Sequence, residues 1–155
     1  MTRIVLASFL LALGGAAAAA GAPRVLDPWI RATPPQVTTA AAYLTLEGGE
    51  TADRLTSAKT NVAAKVEIHS TMQHDGMTLM MPMEALPVPA RSTVKLAPGA
   101  EHLMLTGLKR ALIPGETVTI TLQFEHAGAM DVAFPVVDAR AEDHAEQHGD
   151  HAGHH

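Results

Sequence analysis

His102-Leu103-Met104 sets an imidazole and a thioether two residues apart. On a strand, such residues point to one side with Cα atoms roughly 6.5–7 Å apart, so both could reach one ion. Leu103 would anchor the strand in a core. His69 lies on the polar side of the alternating stretch Ala64 to Ser70, and Met80 follows an Asp75-Gly76 turn signal. That turn lays the His69 and Met80 segments side by side. If they pack near residues 102–104, two His and two Met meet. Thioether sulfur is soft and neutral and imidazole is borderline, a set that suits Cu(I). Zinc rarely takes Met, and Mg or Ca take oxygen. A blue-copper centre requires a Cys thiolate, and the chain contains no cysteine. Met81 and Met83 are nearby thioethers that could compete with Met80.

The distribution of these residue types is uneven. Of nine His and eight Met in 155 residues, six Met lie between Met72 and Met104. Five His, namely His144, His148, His151, His154 and His155, crowd the last twelve residues. With Asp143, Glu146 and Asp150 among them, these imidazoles could chelate Cu(II), Zn(II) or Ni(II). Met72 and Met77 flank the turn, either as loop packing or as a secondary soft-ligand patch and entry route. His74 reads as a solvated turn residue, Met130 as core or loop, and Trp29 and Tyr43 as core; His126 receives no role.

The elements that must position these groups are strands. Thr117 to Phe124 alternates most cleanly, with Val118, Ile120, Leu122 and Phe124 inward. Trp29 to Arg31, Thr39 to Glu47, Met77 to Met83, Ser92 to Leu96, His102 to Leu108 and Met130 to Val137 also read as strands. Pro82, Pro87 and Pro89 argue against a continuous central strand around them. Short strands between Pro/Gly turns, with no convincing long helix, predict an all-β sandwich or barrel. Residues 141–155 carry no Leu, Ile, Val or aromatic residue and are expected to be a flexible tail.

At the N-terminus, Arg3, the apolar run Ile4 to Leu13 and the small residues Ala18-Ala19-Ala20 form a secretory signal pattern, with cleavage expected after Ala20. The apolar run is too short to span a bilayer, which needs roughly 20 residues. A lipid-anchored form would need a junctional cysteine. Losing Arg3 takes the formal charge from −5 to −6, and there is no basic run, which argues against nucleic acid or anionic membrane as partner. The expected division is 1–20 signal peptide, 21–140 copper-binding β domain and 141–155 tail. Paired catalytic carboxylates, His-Glu-x-x-His, Gly-x-Ser-x-Gly and a nucleophilic Cys are all missing, so no enzyme is expected.

His69, ten residues, Met80, twenty-one residues, His102, one residue, Met104 is a spacing that resembles the periplasmic copper chaperones associated with CuA-centre assembly in cytochrome c oxidase. Trp29 to Pro35, Ala41 to Leu44, Glu67-Ile68-His69, Pro98-Gly99, His102 to Lys109 and Phe124 to Gly128 resemble the same family. Ser70 and Met81 depart from it, where Met and Arg are frequent. The resemblance implies a cupredoxin-like β-barrel or sandwich of short antiparallel strands. It implies a near-surface Cu(I) site at His69, Met80, His102 and Met104, with delivery to a respiratory oxidase subunit or another copper chaperone. A His-rich extension that captures Cu(II) is implied likewise. The competing expectation is a periplasmic copper-sequestering protein with no dedicated acceptor.

Overall fold

The structure, a computed structural model, describes residues 21–138. The expected signal segment and the five tail histidines lie outside the described residues.

The alternating segments form strands because each has one face to bury. In chain order they are β1 (Arg24–Arg31), β2 (Thr39–Glu47), β3 (Asp53–Thr60), β4 (Ala63–His74), β5 (Met77–Met83), β6 (Leu86–Val88), β7 (Thr93–Leu96), β8 (His102–Leu108), β9 (Thr117–Phe124) and β10 (Gly128–Val137). The sheet runs β5-β4-β8-β2-β1-β10-β9-β3-β6, β7 adds to β2, and a further β3–β4 pairing closes it into a barrel. Closure leaves open edges only on the strands outside the ring, β5, β6 and β7. The pairings are antiparallel except β1 with β10, which is parallel. All elements of the described chain are strands and connecting turns, and none of its helices is long and apolar enough to cross a membrane because it has none.

The core is the inward face. Val118, Ile120, Leu122 and Phe124 of β9 are buried against Leu44, Leu46, Leu55, Leu103, Leu105 and Phe134. Met130 is half-buried against this cluster. The prolines fall where a ladder tolerates them: Pro82 on the edge strand β5 and Pro87 in the three-residue β6. β1 starts earlier than Trp29, because a bulge between Leu26 and Trp29 absorbs Asp27-Pro28, with Asp27 at φ 47°.

β3 is the strand that the hydrophobic pattern missed. Its sequence DRLTSAKT holds one large apolar residue, Leu55, which is fully buried. Asp53 beside it is also buried. Its carboxylate accepts backbone N–H groups from Arg54 (2.8 Å), His126 (3.0 Å) and Ala127 (2.9 Å), tying β3 to the β9–β10 turn.

Candidate metal centre

The site is built where β4, β5 and β8 lie side by side. Directly opposed residues in an antiparallel pair share a face, so the register decides which side chains meet. His69 opposes His102 and Glu67 opposes Met104 across β4–β8. Thr71 opposes Met80 and His69 opposes Pro82 across β4–β5. His69, Met80, His102 and Met104 therefore occupy one face of three adjacent strands. The other face of β8 carries Leu103 and Leu105, both fully buried in the core, which holds the strand in register beneath the site.

The two histidines form the centre. Their ring centroids are 5.7 Å apart. His102 is buried at 3% exposure, because Tyr43 stands beside it at 6.3 Å and Trp29 stacks on Tyr43 at 4.4 Å. Tyr43, expected as core, is buried and also stands beside His102, while Trp29, expected as core, is half-buried against Tyr43. His102 Nδ1 lies 3.3 Å from the Ala100 carbonyl oxygen. With Nδ1–H donating to that carbonyl, Nε2 carries the lone pair. This is the second-shell arrangement by which a ligating imidazole is oriented and its tautomer fixed. His102 Nε2 and both ring nitrogens of His69 are buried without a hydrogen-bond partner. Buried polar atoms are seldom left so, and three of them converge here. Burial holds the His102 pKa below its ordinary value, partly offset by the Ala100 carbonyl. That shift favours the neutral ring, the form that binds a metal.

The methionines lie on the same face, one to either side of this pair. Met80 lies on the edge strand, on the hairpin side of His69, and is 55% exposed. Met104 lies beyond His102 in the other direction, half-buried, and lines a cleft of about 290 Å³ with Arg31, Pro34, Val37 and Ala41. Three rotatable bonds give each Met the reach to turn its sulfur toward the imidazoles. Met81 and Met83 oppose Ser70 and Ile68, on the reverse face from His69, and Met83 packs against the core. Glu67 sits at the rim, its carboxylate 2.6 Å from Lys65 Nζ and 3.8 Å from His69 Nε2. The Lys65 hydrogen bond lowers the Glu67 pKa. Among the described residues no three His, Cys, Asp or Glu side chains cluster as a metal-holding group.

A closed β-barrel whose outer face sets a buried His102 beside a half-buried His69 defines a cupredoxin-like, PCuAC-type domain. The chain belongs to the family described as "Putative lipoprotein LpqE-like", which it matches over residues 24–136. It is 33% identical over 116 residues to "Putative lipoprotein Lxx21020" of Leifsonia xyli subsp. xyli, covering 74% of this chain and 69% of that protein. Among solved structures, the copper-bound PCuAC domain from PmoF2 superposes with a TM-score of 0.66 at 26% identity, covering 77% of this chain and 96% of that one. CuI-DR1885 from Deinococcus radiodurans superposes with a TM-score of 0.61 at 33% identity, covering 81% and 83%.

Proposed function

We propose that this protein is an exported, periplasmic copper carrier that holds Cu(I) with His69, Met80, His102 and Met104 and passes it on without turnover. The observation that carries the reading is the His69–His102 pair, in which His102 Nε2 and both His69 ring nitrogens are buried without a hydrogen bond. Two neutral imidazoles and two neutral thioethers match the softness of Cu(I). All four are uncharged, so the ion keeps its charge and is not locked in by ligand anions. Met80, on an exposed edge strand, is the ligand that an acceptor could reach first. The similarity to copper-bound PCuAC domains and to CuI-DR1885 supports the same metal.

Delivery to a respiratory oxidase copper centre rests on the family resemblance of the His69-to-Met104 spacing. Capture of Cu(II) by His144, His148, His151, His154 and His155 rests on the chemistry of clustered imidazoles. The family relatives bear lipoprotein names, which supports export. This sequence has no cysteine on which a thioether-linked lipid could sit, so the carrier is proposed to act after release from residues 1–20.

The test is anaerobic titration of Cu(I) against a chromophoric chelator, followed by mixing of the loaded protein with an apo oxidase CuA domain. His102→Ala and Met80→Leu are each expected to weaken Cu(I) binding at least tenfold, equivalent to about 1.4 kcal/mol. Unchanged affinity in both variants overturns the ligand assignment. Retention of copper by the carrier in the transfer assay replaces delivery with sequestration.

A further inference from the structure

The β4–β5 hairpin carries a second set of soft ligands on the face turned away from His69. We propose that Met72, His74 and Met77 form a separate Cu(I)-class site at the hairpin tip.

The geometry follows from the register. His74 opposes Met77, Met72 opposes Leu79, and Ser70 opposes Met81. These residues share the face that continues from Ile68 and Met83. His69, Met80 and the Gln73–Thr78 hydrogen bond of 2.8 Å lie on the reverse. Opposed Cβ atoms stand roughly 4.5–5.5 Å apart, and diagonal neighbours roughly 7–8 Å. One imidazole and two thioethers thus form a compact triangle at the tip. The tip is held rigid. Asp75 and Gly76 both have positive φ, 49° and 75°, the two-residue turn that matches strand twist and fixes register. His74 Nε2 lies 3.4 Å from Asp75 Oδ2, which orients the ring and leaves Nδ1 as donor to the ion.

Exposure adds a second argument. Met72 is 55% exposed and Met77 60%. Large apolar side chains this open, clustered on one edge hairpin, have no packing role in the barrel. A neutral S₂N set selects a soft monovalent ion and offers little to Zn(II) or Mg(II). Met80 and Met81 are adjacent on the edge strand and point to opposite faces. An ion held at the tip has thioethers leading round that edge toward His69.

The test uses the full chain with methionine methyl groups labelled with carbon-13, titrated anaerobically with Cu(I) while methyl resonances are followed. The Met72 and Met77 methyls are expected to shift together with the His74 ring, in a step separate from the shift of Met80. Met72→Leu/Met77→Leu keeps the apolar volume and removes the sulfur. It should abolish the His74 shift and take up one Cu(I) per chain less. In a His102→Ala background the tip shifts should persist, which separates this site from the one at His69 whether or not that assignment holds. Met72 and Met77 methyls that stay unmoved, or a Leu variant with unchanged stoichiometry and His74 shift, overturn the proposal. The patch is then an apolar docking face only.

Discussion

At the scale of single residues, Asp53 contributes more than its place in an unremarkable strand suggests. Burial pushes its carboxyl up, but the N–H groups of His126, Arg54 and Ala127 pull it further down, so its pKa lies below the ordinary value. A depressed carboxylate stabilises the fold above its unfolded pKa of about 3.9 and ceases to as pH falls through its folded value. Asp53→Asn keeps the size but loses the charge and leaves an N–H of Ala127 facing an amide donor. The expected cost at pH 7 is about 1–3 kcal/mol, read as a lower urea midpoint with an unchanged m-value. The gap between the two proteins should close in acid, below about pH 4. A gap that stays constant to the acid-unfolding limit would show that charge is not what Asp53 supplies. His102 behaves in the same sense. Its lowered pKa favours the neutral ring, so protons compete less for Nε2 than in an ordinary histidine.

At the scale of elements, the site depends on a backbone feature that holds register. Gly107 in β8 has φ 67°, and a Cβ there would come within 2.8 Å of the Ala64 Cβ. The left-handed conformation alone costs a non-glycine residue roughly 1–2 kcal/mol, and the contact adds to it. Gly107→Ala is therefore expected to lower the thermal midpoint and to weaken Cu(I) binding. β8 would then shift against β4, where His69 faces His102. Loss of stability with unchanged copper affinity would mean that the site tolerates the slip. The same elements explain what could be read in advance. β8 and β9 declare themselves through strict alternation, and Asp75-Gly76 through turn chemistry, so the shared face of His102 and Met104 and the pairing of the Met80 and His69 segments were legible. β3 was not, because a strand whose buried positions are Asp53 and Leu55 has no hydrophobic period to detect. The parallel β1–β10 pairing was not legible either, since barrel closure is a long-range choice that no local pattern encodes. Trp29 and Tyr43 read as core because aromatic residues usually are. The β2–β8 ladder sets Tyr43 beside His102, and the β1–β2 register sets Trp29 on Tyr43.

At the scale of the whole molecule, the fold has no covalent staple. With no cysteine in the chain, a protein expected to work in an oxidising compartment is held by its barrel core alone, and reductant should leave its melting temperature unchanged. A chain that binds copper as proposed should gain stability from the ion. A ligand that binds only the folded state adds RT ln(1 + [L]/Kd), about 2.7 kcal/mol at a free ion concentration one hundred times Kd. For a domain of this size that raises the midpoint by on the order of 10 °C. The rise should appear with Cu(I) under anaerobic reducing conditions, and should largely vanish in His69→Ala/His102→Ala. Trp29 provides a second reading of the same event. It stacks on Tyr43 beside His102, so its fluorescence should change in step with occupancy of the histidine pair. Filling of the hairpin tip on the opposite face should leave it unaltered. A melting shift without a Trp29 response would place the stabilising ion away from His102, and the barrel's outer face would lose its claim as the principal copper site.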